Sequence, residues 1–286
     1  MEFAFLIALG YAFKGMFGAE VGVVLSKLIV NFTLPSAILF SFATSRFDPS
    51  KFSFALTAAL SNVTLVFLAL TVFSRVKEKE VRVPLQLSLI GFNTGLFMYP
   101  LAEGLWGAPA VLNYAFFDLG NSFFIFGVGK AVSEGSGVKG ILKVFSFPPF
   151  LAVVLGLALN YAGIGLPAFV LKVIQHVKNA NAFLVFFLVG YYLNFRAVWR
   201  RIDLVSLAML LKYVSGVIIS FFALRFFSMT PLDEKMLFLG PLLPSAVMTL
   251  VYTVEKGYDG ELASGLVTLS TVFSYLVILL TNHLWG

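Results

Sequence analysis

Two short stretches combine polar residues with helix breakers in otherwise apolar surroundings. In LIGFNTGLFMYPLAEGLWG, Leu89 to Gly107, Asn93 and Thr94 stand between Gly91 and Gly95, and Pro100 follows. In LGPLLPSAVMTLVYTVEKG, Leu239 to Gly257, the breaks are Pro241 and Pro244, with Ser245 next in the chain. Asn and Thr are good N-caps, and proline suits the first position of a helix. Each stretch therefore reads as a helix that stops and restarts, with Pro244 opening the second restart and Ser245 just inside it. Pro100 removes one further backbone bond and crowds the carbonyl of Leu96. A restart leaves N–H groups unpaired and presents the positive end of a helix dipole. Two such ends brought together make an anion site without a fixed charge, touched by Asn93, Thr94, Pro244 and Ser245.

Charged residues inside apolar runs are the second source of chemistry. Asp118 lies in NYAFFDLGNSFFIF, with Asn121 and Ser122 close behind it. A carboxylate in such a run faces the protein interior or a cavity. It serves either as a proton or sodium site, with Asn121 and Ser122 supplying oxygen, or as the structural partner of a buried lysine. Lys178 and Lys212 lie deep in their segments, whereas Lys27 and Lys172 lie near segment ends and reach the headgroups. An excess of buried cations over Asp118 favours an anionic ligand, and Lys178 is the candidate contact. The alternative pairs Lys178 with Asp118, away from any ligand. His176 reads as a packing residue before a proton relay, and Glu103 and Glu255 read as solvated residues at segment ends.

These residues need a scaffold that holds broken helices away from water, and the composition describes one. The chain of 286 residues is 59% hydrophobic and 12% charged, with a mean hydropathy of +0.95. Soluble domains carry about 25% charged residues. Apolar runs near membrane length recur from end to end, so this is an all-α, polytopic membrane protein whose partner is the lipid bilayer. With no cysteine there is no disulfide framework and no thiolate chemistry. The N-terminus MEFAFLIALGYAFKGMF has an acid where a signal peptide is basic and reads as a retained first span. The net charge of +6 is spread over short loops and gives no nucleic-acid surface.

Ten spans are expected: 2–17, 20–44, 51–73, 83–104, 109–131, 141–162, 166–194, 203–227, 234–255 and 260–283. With the N-terminus outside, the cytoplasmic links hold Lys14, the RVKEKEVR loop, Lys130, Lys139, Lys143, Arg196, Arg200, Arg201 and Lys256. That is twelve Lys and Arg residues, against four on the outer links, Arg46, Lys51, Arg225 and Lys235. Positive residues favour the cytoplasm, so both termini are expected outside it, in the cytoplasmic membrane. SEGSGVKG at 133–140 divides the chain into a first five-helix repeat, 1–132, and a second, 141–286. Five is odd, so the halves have opposite orientation. KLIVNFTLPSAILFSF from Lys27 echoes KVIQHVKNANAFLVFF from Lys172, and the broken spans 4 and 9 occupy corresponding places. Broken helices at matched places of inverted halves mark a transporter's binding site, because irregular backbone at membrane depth survives only in protein or along a cavity.

The same segments resemble the auxin efflux carrier family. KLIVNFTLPSAILFSF is similar to the family's second span, GFNTGLFMYPLAEGLWG to its fourth, and PSAVMTLVYTVEKGYDGELASGLVTLSTVFSYLVILL to its last two. The resemblance implies two inverted five-helix repeats, with scaffold and core domains each drawn from both, and a fold similar to the bile acid sodium symporters. It places Asn93 and Pro244 at the crossing, with Asn181 on span 7 facing them, and implies a homodimer through the scaffold. The family includes plant auxin exporters and bacterial carriers proposed for malate and malonate. Here span 3 lacks the acid–base pair of the plant carriers, Met98 and Tyr99 precede Pro100 where a smaller residue is usual, and the long plant loop is missing. Auxin itself is thus disfavoured as substrate.

Rival functions lack their signatures. No HExxH, GxGD or P-loop motif is present, and neither His176 nor His283 has a Ser or acid at catalytic spacing. No ring of like charges suggests a channel filter. The expectation is a non-enzymatic secondary transporter moving a small organic anion, coupled to H+ or Na+ and needing no other cofactor, with an intramembrane lipid-modifying enzyme of diffuse site or a channel as the alternative.

Overall fold

The structure is a computed structural model that describes residues 2–16, 18, 20–44, 48–135 and 145–285. Among these residues the chain is helical, and strand-like pairing is confined to one isolated antiparallel bridge between Phe92 and Ser245. The helices are α1 (Glu2–Phe13), α2 (Glu20–Leu28), α3 (Leu34–Thr44), α4 (Phe52–Val72), α5 (Lys79–Leu89), α6 (Tyr99–Trp106), α7 (Ala108–Ser122) and α8 (Lys130–Glu134). They continue as α9 (Pro148–Tyr161), α10 (Ala168–Asn179), α11 (Asn181–Tyr192), α12 (Phe195–Arg200), α13 (Ile202–Phe226), α14 (Pro231–Leu239), α15 (Met248–Glu255) and α16 (Gly260–Leu284).

Among the described residues, six helical stretches are long and apolar enough to cross a membrane: Val21–Thr44, Pro49–Arg75, Ala108–Glu134, Ala168–Arg200, Ile202–Phe226 and Gly260–Leu284. They match the expected spans 2, 3, 5, 7, 8 and 10. Expected spans 1 and 6 correspond to the shorter apolar helices Glu2–Phe13 and Pro148–Tyr161. Spans 4 and 9 are each divided, α5 from α6 and α14 from α15, with non-helical backbone between. The expected midpoint linker at 133–140 and the start of span 6 lie mostly outside the described residues, which resume at Phe145.

Among the described residues, three wide π turns adjust the register of these helices, Ile29–Thr33, Thr94–Met98 and Phe123–Gly129. The second explains how Pro100 is accommodated. It falls in the first turn of α6, immediately after the wide turn, where its missing N–H is one that a helix start leaves unpaired anyway.

The chain divides into two compact units, each drawn from segments before and after residue 140. Unit 1 comprises Met1–Lys51, Thr94–Leu119 and Phe145–Tyr192; unit 2 comprises Phe52–Asn93, Gly120–Val144 and Leu193–Gly286. In unit 1, α1 packs along α11, and α3 is flanked by α9 and α10. In unit 2, α13 lies against α4, α14 and α16, and α5 packs on α4, α15 and α16. Gly216 allows α13 to approach the tight turn Gly240–Leu242 ahead of the span 9 break, since a Cβ there would sit 2.5 Å from the Pro241 carbonyl oxygen. The breaks of spans 4 and 9 thus belong to one unit, with α13 beside the second.

Candidate functional site

The span 4 break runs from Ile90 to Asn93 and is buried throughout. In lipid no water satisfies freed peptide groups, so each must find a protein partner. Asn93 N–H donates to the Pro244 carbonyl at 2.9 Å, which ties the two breaks together beside the Phe92–Ser245 bridge. The Gly91 N–H donates to Asn62 Oδ1 at 2.9 Å, and the Phe92 N–H to Asn121 Oδ1 at 2.9 Å. Asn121 Nδ2 returns a bond to the Phe92 carbonyl at 2.9 Å, so one side-chain amide holds both backbone groups of one residue. Asn62 Nδ2 reaches Asn121 Oδ1 at 3.3 Å and locks the two amides to each other.

The carbonyls at the end of α5 are satisfied from span 9. Ser245 Oγ donates to the Ser88 carbonyl at 2.6 Å, and Thr249 Oγ1 to the Leu87 carbonyl at 3.0 Å. The Ser245 N–H in turn donates to Ser270 Oγ on α16 at 3.2 Å. Gly91 has φ +86°, a left-handed conformation that costs a residue with a Cβ about 1–2 kcal/mol. Its Cα also lies so close to α7's continuation that a Cβ would sit 2.1 Å from Ile125 Cγ1.

Lys212 completes the crossing. Its side chain is buried in the middle of α13, with Nζ 3.4 Å from the Gly91 carbonyl oxygen and 4.3 Å from the centre of the Phe92 ring. When Lys212 is protonated, the carbonyl end of a half-helix and the ring face both favour its charge. No carboxylate of its unit pairs with it among the described residues. Asn93 Nδ2 is also buried and has no hydrogen-bond partner. The crossing therefore sets a buried lysine nitrogen and an unpartnered amide donor along the three residues Gly91 to Asn93 of span 4. Such an arrangement can bind a carboxylate or another small anion.

The sequence candidates divide between the units. Asn93, Pro244, Ser245 and Asn121 belong to unit 2 and meet at the crossing. Thr94, Asp118, Lys178 and Asn181 belong to unit 1. There Thr94 is buried and opens the π turn that begins the second half of span 4. Asn181 Oδ1 accepts a bond from Thr33 Oγ1 at 2.7 Å, beside the π turn of α2–α3. Asp118 Oδ2 accepts from Tyr99 Oη at 3.4 Å. Lys178 forms an ion pair with Glu103 and lies 4.6 Å from the centre of the Phe40 ring.

Two expectations need correction. Pro244 does not open the restarted helix, because Leu243 to Ala246 stay non-helical and α15 begins at Met248. The reason is the bridge to Phe92, which holds Ser245 extended and postpones the restart. Glu103, partly exposed, and Glu255, exposed, keep the solvated character expected of them and also pair with Lys178 and with Lys130, whose Nζ is 3.1 Å from Glu255 Oε2. Lys178 itself, expected to offer its charge to a ligand, spends it on Glu103. His176 is exposed on α10, whereas Lys212, not singled out as a ligand contact, is the lysine at the crossing. Its depth in an apolar run was the available signal.

Helices of membrane length, with two interrupted helical stretches held together at the Phe92–Ser245 bridge beside a buried lysine, define a multi-pass membrane protein. Sequence comparison supports this class. Residues 136–282 match the model of the family described as membrane transport protein. The chain is 25% identical to an uncharacterized transporter of Methanocaldococcus jannaschii, over 98% of this chain and 94% of that protein. It is 27% identical to an uncharacterized transporter of Methanothermobacter thermautotrophicus, again over 98% and 94% of the two chains. The chain belongs to the membrane transport protein family, the auxin efflux carriers, and is a transporter rather than an enzyme.

Proposed function

We propose that this protein is a secondary active transporter that moves a small organic anion, a carboxylate, across the cytoplasmic membrane by alternating access. The observation that carries the reading is the crossing of the two broken spans at Phe92–Ser245, with the Lys212 side-chain nitrogen and the Asn93 amide beside it. Irregular backbone at that depth survives only where it is buried in protein or lines a cavity, and broken helices at a repeat interface are where carriers bind substrate. On this reading the short helices α1 and α9 and the divided spans 4 and 9 also cross the membrane. That makes ten crossings in two inverted repeats, with both termini outside the cytoplasm. Unit 2 plays the moving core and unit 1 the scaffold, through which a homodimer would form.

The test is uptake of labelled mono- and dicarboxylates into sealed proteoliposomes, with a pH gradient, a sodium gradient, or neither. Saturable uptake that is lost in Asn93→Ala is the expected result. Equal uptake by wild type and Asn93→Ala would remove the span 4 break from the site. Because the Asn93 side-chain nitrogen has no protein partner, this variant should fold and melt like the wild type.

A further inference from the structure

We propose that Lys212 is the coupling group of this carrier: its side-chain nitrogen binds one proton as the anion binds, so that a proton accompanies each anion and no sodium ion is required. The inference rests on the organic-anion reading and assigns its driving ion. An ammonium is costly to bury without an opposite charge, and among the described residues no carboxylate of this unit pairs with Lys212. A carboxylate arriving at the crossing reverses that balance, because it supplies the missing counter-charge. The step is a simple proton addition. The Nζ lone pair takes a proton from the open side to form –NH3+, the carboxylate pairs with it, and both leave on the other side as the amine is restored.

The surroundings of Lys212 support this assignment. The helix α4 beside it carries no ionisable residue. On α13 itself, Asp203 and Arg225 are nine and thirteen residues away, about 14 and 20 Å at 1.5 Å per residue. Tyr213 is bonded to Ser270 and Ser274. On α5 the ionisable groups Lys79, Glu80 and Arg82 all lie in the first turns, away from the Gly91 end. On α14, Asp233, Glu234 and Lys235 follow the far end of α13, and on α16 Glu261 and His283 lie at the two ends, with Tyr275 between them. On α12, Arg196 and Arg200 precede the start of α13, and Arg200 pairs with Glu261. Asp118, one turn before Asn121 on α7, accepts from Tyr99.

A sodium ion needs several oxygen ligands, and five carbonyls at this break are already engaged. Leu87 and Ser88 take hydroxyls, Phe92 takes the Asn121 amide, Pro244 takes the Asn93 N–H, and Gly91 takes Lys212 itself. The lysine nitrogen stands where a coupling cation would find its carbonyl.

The experiment is titration calorimetry of the purified transporter in detergent with acetate, malonate and malate, each alone, in buffers of different ionisation heat. Wild type should take up close to one proton per anion bound at mildly alkaline pH, with the same affinity whether sodium or potassium is the salt. Lys212→Arg, whose charge is permanent, should bind without proton uptake, and Lys212→Gln should show no proton uptake at whatever affinity remains. Proton uptake retained in both variants, or absent from wild type that binds an anion, overturns the proposal. So does uptake that survives both lysine variants and disappears in Asp118→Asn, which would move the coupling to Asp118. Sodium-dependent affinity overturns it as well. If wild type binds none of the three anions, the organic-anion reading fails and the coupling assignment falls with it.

Discussion

Removing the Asn121 side chain should unfasten the span 4 break without touching any hydrophobic helix contact of comparable size. In Asn121→Ala the Phe92 N–H loses a 2.9 Å bond to Oδ1, and the Phe92 carbonyl loses a 2.9 Å bond from Nδ2. Both peptide groups are buried and have no water to turn to. A buried polar group stripped of its bond costs about 1–3 kcal/mol, so the pair together costs roughly 2–6 kcal/mol. That is a large share of the 5–15 kcal/mol that typically separates folded from unfolded protein. Asn121→Asp is a sharper probe: it keeps the acceptor for the N–H but sets an oxygen against the Phe92 carbonyl. The assay is SDS-induced unfolding in mixed micelles, followed by tryptophan fluorescence. Thr64→Ala serves as control, since that hydroxyl only bonds back to Leu60 of its own helix. Asn62→Ala should couple to Asn121→Ala in a double-mutant cycle, because the two amides touch and hold consecutive peptide groups. A loss in Asn121→Ala no greater than in the Thr64 control would refute the account of how this break is held in the membrane.

Gly91→Ala should cost roughly 2–5 kcal/mol, combining left-handed strain with the displacement of Ile125. The same SDS titration reads it, and a variant within 0.5 kcal/mol of wild type, a rough bound for an unconstrained surface change, would mean the break relaxes freely. The Lys178–Glu103 pair can be tested by charge reversal: Lys178→Glu should lower the melting temperature by placing two acids together, and Glu103→Lys in the same chain should recover most of the loss. Failure of the double variant to recover would leave Lys178 available for a ligand.

Much of this protein could be read along the chain. A membrane protein followed from 59% hydrophobic residues with 12% charged, because no soluble core accommodates that ratio. The positions of the two breaks followed from Gly91, Asn93, Pro241 and Pro244, because backbone geometry is a local property and glycine and proline declare it. Asn93 and Ser245 were legible as members of these breaks for the same reason.

What the sequence could not supply were the partners. Lys178 and Glu103 are 75 residues apart, Asn121 reaches back 29 residues to Phe92, and Lys212 reaches 121 residues to Gly91. Which lysine is neutralised by an acid and which is left facing a carbonyl depends on how helices pack, and residue type alone does not encode it. The start of α15 shows the same division. Proline chemistry favours a restart at Pro244, but a hydrogen bond from Asn93, 151 positions earlier in the chain, keeps the backbone extended until Met248 takes up the helix. Local propensity chose where the helices break; tertiary hydrogen bonding, obligatory where water is absent, decided how the broken ends are joined and which charge lies between them.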